Sequence, residues 1–336
     1  MSGWSVMINA NAPGNMAGRF LLSLLLLPAI VIGAENEAEA VPAAEDLLRE
    51  MTAALRELNY DGVFIYRYGR STDTLRVLHK SDPHTGVQER LVSLSGTPRE
   101  VLRNNHSVTC IFPDKELVLV EKSRGHDLLG SHIPESAAAI KDFYRMAITG
   151  HSRIAGHAAW LLTISPLDQY RYGYQMWIAK NSKLLLKSIL YNKSGYPLEE
   201  IIFTKLDVLP EIPDSHLQPA IQTNQFTWKH SADRLPTGTS QSIPWRINWL
   251  PPGFTVHSYE KQLGHTSPEH IVLTDGLAVV SVFIEKTGPH RNINGPVRAG
   301  ALNAFARLMR GYKVTAIGEV PPATVQRMAG SIVSRR

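Results

Sequence analysis

The sequence predicts an α+β protein: a large N-terminal antiparallel β domain preceded by a helix, then a smaller C-terminal α+β domain. Three observations carry that expectation. One amphipathic helical segment is followed by many segments whose hydrophobicity alternates with period two, separated by short turn signals. Between Pro210 and Pro252 lie 7 of the 21 prolines, and proline cannot donate to a sheet ladder. Beyond that interval a second β series ends in one more helix. The length of 336 residues, 43% of them hydrophobic, suits about two domains of roughly 150 residues each. Chains of that size bury a core without disulfide or metal staples.

Taken from the N-terminus, Phe20–Ile32 is an uncharged apolar run of 13 residues, preceded by Arg19 and followed by Gly33-Ala34. That is the n-region, h-region and small-residue site of a signal peptide. A spanning helix needs about 20 apolar residues, so a cleaved signal over residues 1–34 and export to a periplasm are expected. Residues 33–41 contain no cysteine, so no lipid anchor is expected and the exported chain reads as soluble. Residues 43–58 place Leu47, Leu48, Met51, Leu55 and Leu58 at helical spacing, with acidic residues early. Strands are expected over 62–68, 74–80, 88–93, 100–103, 108–112 and 117–120. A helical stretch near 135–145 precedes strands over 158–165, 170–179, 184–191 and 198–208. Turn sequences such as Asp82-Pro83-His84-Thr85-Gly86 and Asn192-Lys193-Ser194-Gly195 separate them, and connections that short join antiparallel neighbours. The domains are then 43–210 and 241–333, with 211–240 as a linker. In the second domain strands are expected over 246–250, 255–259, 270–274, 278–285 and 312–320. Pro321-Pro322 starts a terminal helix over 323–333.

Thirty-five basic residues against 30 acidic ones leave a net charge of +5, scattered along the chain. Without a basic stripe, nucleic acid is not an expected partner. The single cysteine, Cys110, excludes an intramolecular disulfide and a Cys-rich metal site. Inside the apolar run Val108–Phe112 it reads as a buried, inert thiol. The sequence holds no GxGxxG, Walker loop, GxSxG, HExxH or CxxC. Ser258-Tyr259-Glu260-Lys261 fits S-x-x-K but lies at a strand end, without the helix such a pair needs. His126, Asp127 and His132 have the spacing of neither a helix face nor a zinc loop. No catalytic set, metal or cofactor is expected, and the chain reads as a binding protein rather than an enzyme.

The unusual feature is apolar density on the strands. Tyr172, Tyr174, Met176 and Ile178 share one strand face, as do Phe64, Tyr66 and Tyr68, and Trp160, Leu162 and Ile164. Val63, Ile65, Leu161 and Trp177 make the opposite faces apolar too. A sheet covered on one side alternates apolar with polar, so two arrangements remain open. Either one face meets the helix and the other lines a cavity, as in open antiparallel barrels that hold a lipid, or both faces lie inside a thick core.

Asp168-Gln169-Tyr170-Arg171-Tyr172-Gly173-Tyr174, with Leu186-Lys187-Ser188 and Leu198-Glu199, resembles the end of the N-terminal domain of the RseB/MucB family. Trp249-Leu250-Pro251-Pro252-Gly253-Phe254 resembles part of that family's second domain. So do Asp275-Gly276-Leu277-Ala278, Val280-Ser281-Val282-Phe283, and Ile317-Gly318-Glu319-Val320-Pro321-Pro322-Ala323-Thr324. The likeness spans about residues 43–333 and is poorest over 288–310. The resemblance implies a periplasmic negative regulator of a sigma-E-type envelope stress response. It implies a first domain similar to the lipoprotein carriers LolA and LolB, an unclosed antiparallel barrel covered by helices. Proteins of this kind bind the periplasmic part of an anti-sigma factor of the RseA/MucA type and shield it from a stress protease. Lipid or lipopolysaccharide favours their release, and they self-associate, so a homo-oligomer is expected.

Phe64, Tyr66, Trp160, Leu162, Ile164, Tyr172, Tyr174 and Met176 form the expected lipid-facing set, with core packing the competing reading for each. Arg171 is the candidate for contact with the anti-sigma factor or a lipid phosphate, against the alternative of a solvated surface charge. Partner and lipid would be linked through different affinities for two domain arrangements. The alternative function is a periplasmic carrier of lipid or lipoprotein with no signalling role.

Overall fold

The computed structural model describes residues 40–123, 137–230, 243–261, 268–287 and 295–335. The expected signal segment and the group His126, Asp127 and His132 lie outside them. The described residues from Val41 onward belong to one compact unit, mostly β with few helices.

Helix α1 (Ala44–Glu57) opens with Glu45 and Asp46 in its first turn, where acids suit the helix dipole, and buries Leu47, Leu48, Met51, Ala54 and Leu55. Leu58 is extended, which delivers the chain directly into β1 (Asn59–Tyr68). A meander follows through β2 (Ser71–Asp82), β3 (Gly86–Ser93), β4 (Glu100–Arg103), β5 (Ser107–Phe112) and β6 (Leu117–Lys122). The short helix α2 (Ala137–Ile140) leads to a second meander of β7 (Tyr144–Ile154), β8 (His157–Pro166), β9 (Gly173–Ala179), β10 (Leu185–Tyr191) and β11 (Pro197–Leu209). Pairing of β1 with β11 fuses the two meanders, and β12 (Thr227–His230) adds to β6 in parallel. The result is a 12-stranded sheet in the order β12-β6-β5-β4-β3-β2-β1-β11-β10-β9-β8-β7. Its end strands β12 and β7 do not pair with each other, so the sheet is not closed into a barrel.

The chain then builds β13 (Trp245–Ile247), β14 (Thr255–Lys261), β15 (Glu269–Thr274), β16 (Val279–Lys286), β17 (Gly295–Ala299), β18 (Leu302–Met309), β19 (Tyr312–Gly318), helix α3 (Pro322–Ser331) and β20 (Ile332–Ser334). Six of these strands form an antiparallel sheet, β14-β15-β16-β19-β18-β17, while β13 pairs with β20. Val325, Met328 and Ala329 of α3 share one core with Val280, Val282, Val314 and Ala316 of the sheet.

Element ends shift by a few residues, as where β13 stops at Ile247 and α3 yields to β20 at Ile332. Beyond such shifts, the expected elements differ from the observed ones in four places, each for a physical reason. The helical stretch near 135–145 shrinks to the four residues of α2, and its end already belongs to β7, whose half-buried Met146 and Ile148 alternate with exposed Arg145, Ala147 and Thr149. Strands β17 and β18 were not anticipated, because their weak alternation takes on a strand's meaning only when β18 pairs with β19. Strand β9 starts at Gly173 rather than 170, since Tyr170, Arg171 and Tyr172 turn away from the sheet. The expected linker is folded chain in its first part. Ile212 and Leu217 pack on Leu78, Asp214 pairs with Lys80 at 2.5 Å, and the Ala220 N–H donates to Glu100 at 3.2 Å. This strap crosses β2, β3 and β4 before β12 joins the sheet edge.

Strand register sorts the two faces of the large sheet. Phe64 lies opposite Leu75 and Phe203, Trp160 opposite Ile178, Leu162 opposite Met176, and Ile164 opposite Tyr174. All belong to the core that α1 covers. The same face buries a polar set near the start of the sheet: Arg103 Nε sits 2.6 Å from Glu89 Oε2, and the His79 ring stacks on Tyr60 at 4.7 Å. A carbonyl can only accept, so His79 Nδ1–H donates to the Leu58 oxygen at 2.9 Å. On the opposite face, under the strap, Arg90 pairs with Glu100 at 3.2 Å and donates to the His216 carbonyl at 3.0 Å.

Candidate functional site at the domain junction

Seven of the eight residues expected to face lipid share the α1-covered face of the large sheet. Phe64, Trp160, Leu162, Ile164, Tyr174 and Met176 are buried there and Tyr66 is half-buried. Tyr172 precedes β9 instead, its hydroxyl accepting a hydrogen bond from Asn303 Nδ2 at 3.1 Å. A cleft of about 60 Å³ remains among Tyr66, Tyr174, Met176, Leu190, Ile201 and Glu319. It meets a wider cleft of about 380 Å³, lined by Val279, Phe283, Leu302 and Ile317 of the second sheet, with Tyr174 and Glu319 common to both. Pockets that enclose a small ligand run from roughly 300 to 1,000 Å³, so the inner cleft is too small for an acyl chain. Tyr66 donates to Glu199 Oε2 at 3.1 Å. Burial, with Glu199 and Glu319 nearby, pushes its phenol well above the usual range. Burial does the same to Tyr174, reinforced by Glu319 and Asp275.

Arg171 does not face solvent. Its side chain is 0% exposed, with Nη1 2.9 Å from Asp275 Oδ2 and Nη2 3.2 Å from Asp168 Oδ2. Nη2 also donates to the Pro252 carbonyl at 2.6 Å. The rings of Phe143, Tyr144 and Phe254 surround the guanidinium at 5.2, 5.4 and 5.3 Å. Neither a solvated charge nor a ligand-facing one fits that position, because the guanidinium is enclosed by Asp275, Asp168, the Pro252 carbonyl and three rings of this chain. Asp275 is held in turn: Oδ2 accepts from the Tyr144 hydroxyl at 3.0 Å, and Oδ1 accepts from the N–H groups of Leu277 and Ala278 at 2.9 and 2.7 Å. Burial, then the Asp275 charge, pushes the Tyr144 phenol well above its usual value, so it stays a donor.

Neighbouring residues extend the contact between the sheets. The Tyr170 carbonyl accepts from Thr324 at 3.0 Å, its hydroxyl accepts from Arg327 at 3.1 Å, and its ring meets Trp249 edge-on. Leu277 and Ala301 of the second sheet's loops enter the core of the first. The four sequence blocks Asp168–Tyr174, Trp249–Phe254, Asp275–Ala278 and Ile317–Thr324 thus converge on one junction. Neither Tyr144 nor Asn303 is singled out by the sequence. Asp275 is marked there only within the block Asp275-Gly276-Leu277-Ala278 that resembles the family, and its buried arginine partner 104 positions away is not legible.

Elsewhere, Cys110 is half-buried rather than fully enclosed, and burial together with Glu121 pushes its thiol up. Among the described residues no group of three or more His, Cys, Asp or Glu is placed to hold a metal, and no helix is long and apolar enough to cross a membrane.

The family model for the MucB/RseB N-terminal domain matches residues 43–221, and that for the MucB/RseB C-terminal domain matches residues 239–333. The chain belongs to the MucB/RseB family. It is 31% identical over 328 residues to the sigma factor AlgU regulatory protein MucB of Pseudomonas aeruginosa, covering 92% of this chain and 96% of that one. The crystal structure of MucB in complex with MucA(peri) matches with a TM-score of 0.67 at 27% identity, covering 88% of this chain and 100% of that one. The crystal structure of MucB alone matches with a TM-score of 0.60 at 27% identity, covering 87% and 98%.

Proposed function

We propose that this MucB/RseB-family protein is a periplasmic regulator of a sigma-E-type envelope stress response. It binds the periplasmic part of an anti-sigma factor of the MucA/RseA type, shields that segment from a stress protease, and releases it when lipid or lipopolysaccharide binds. The observation that carries the reading is the likeness, over 88% of the chain, to MucB in complex with MucA(peri). The function is one of binding, with no cofactor and no turnover. The same proposal includes export by a signal over residues 1–34, domains over 43–210 and 241–333, an unclosed LolA-like barrel and self-association. The lipid-facing set remains Phe64, Tyr66, Trp160, Leu162, Ile164, Tyr172, Tyr174 and Met176.

The packing of this set supports a definite view of sensing. In the closed form the apolar face is filled by α1 and by its own side chains. An acyl chain must therefore displace that packing, and only a ligand with different affinities for the closed and opened forms can shift the balance between them. The test is capture of the anti-sigma periplasmic segment by the mature protein at micromolar concentration, with and without lipopolysaccharide. Capture that lipopolysaccharide weakens is expected. Lipid binding without capture would leave a carrier of lipid or lipoprotein in place of the regulator.

A further inference from the structure

The two sheets touch through contacts of two kinds. Leu277 and Ala301 supply apolar burial, which is non-directional and tolerates sliding. Arg171 supplies direction: held on its own side by Asp168 at 3.2 Å, its fork reaches across to Asp275 at 2.9 Å and the Pro252 carbonyl at 2.6 Å, and sliding the second sheet would break both crossing contacts at once. The pair Arg171–Asp275 is 0% exposed on both sides. If the sheets separate, water replaces each partner; while they are docked, loss of either partner strands the other in a dry site. The docked arrangement is therefore the state that depends on this pair.

We propose that Arg171, Asp275 and Tyr144 are positioning residues that lock the two sheets in the arrangement that binds the partner. They touch no ligand and act by setting the fraction of molecules in the docked form. That fraction scales affinity directly, since the apparent Kd is the intrinsic Kd divided by the competent fraction. The chain's likeness to partner-bound MucB, at 0.67, exceeds its likeness to MucB alone, at 0.60. The lock itself stands on the geometry; its effect on affinity rests on the partner-binding reading above.

The experiment compares the wild-type mature chain with Asp275→Asn and Arg171→Met. The asparagine keeps an oxygen for the Leu277 and Ala278 amides, so the turn survives while the charge facing Arg171 is lost. Solution X-ray scattering reads the domain arrangement, peptide-resolved hydrogen exchange reads local opening, and titration with the anti-sigma periplasmic segment reads affinity. Expected are a larger radius of gyration and about tenfold faster exchange at residues 250–254 and 275–278. Strands β8 and β16 should keep wild-type protection, and affinity should fall about tenfold or more. Unchanged scattering, or exchange that rises equally in β8 and β16, overturns the lock. Opened domains with wild-type affinity overturn its link to binding. A wild-type chain that fails to bind the segment sinks the regulatory function instead, while scattering and exchange still decide the lock.

Discussion

At Gly253 the backbone has φ +85°, and a Cβ there would fall on the Phe143 ring beneath the Arg171 guanidinium. Both the left-handed conformation and the close approach demand glycine. Gly253→Ala is expected to cost about 1–3 kcal/mol, read as a lower urea midpoint, with junction amides losing protection first. Cys110 makes a second residue-scale prediction. Burial and Glu121 favour its neutral thiol, and the thiolate is the reactive form. Its alkylation by iodoacetamide at pH 8 should run several-fold slower than that of glutathione, and should reach the free-thiol rate in urea. Equal rates in the native protein would refute that environment.

Among the elements, the strap and the buried charges carry separate expectations. Ile212 is fully buried against Leu78 and Leu217 although it lies in a proline-rich interval. Ile212→Ala should destabilise by about 2–5 kcal/mol, measured by urea unfolding, whereas a free linker would tolerate the change. Glu89, on the core face of β3 and paired with Arg103, is 0% exposed. Glu89→Gln removes the carboxylate charge from this buried pair and is expected to cost about 3–5 kcal/mol in the same assay. The strap is fastened mainly by side chains the sequence spreads widely, such as Lys80 to Asp214 and Arg90 to the His216 carbonyl.

For the whole molecule, the tyrosines set an upper pH limit. Burial raises the phenols of Tyr66, Tyr144, Tyr172, Tyr174 and Tyr259 above their usual value in the folded state. In the unfolded chain they ionise near pH 10. The unfolded state therefore loses protons first as the pH climbs, and the stability these groups contribute is intact below pH ~10 and lost above it. The urea midpoint should hold between pH 7 and 9 and fall steeply by pH 11, with a late, cooperative rise in tyrosinate absorbance. A gradual absorbance rise centred at the ordinary phenol value would refute the burial of these rings. Docking of the two sheets belongs to this scale as well, because Arg171 and Asp275 lie 104 positions apart in the sequence and meet only when both sheets are formed.

What the sequence determined by itself was periodicity and its punctuation. Helix α1, the strands from β1 to β6 and from β8 to β11, and β14 to β16 were legible because apolar spacing and turn residues are local signals. The shared face of Phe64, Tyr66, Trp160, Leu162, Ile164, Tyr174 and Met176 was legible within each strand for the same reason. Local signals fell short where pairing supplies the meaning: β7, β17 and β18 gain their strand character from β8 and β19. Only the tertiary structure decided the role of Arg171. A charged residue in a strand-like segment reads as solvated until Asp275, Tyr144, Phe254 and the Pro252 carbonyl are brought around it, and none of them lies within 25 positions of it in the chain. Burial of a charge is a property of the surroundings, and the surroundings of Arg171 are assembled from both sheets.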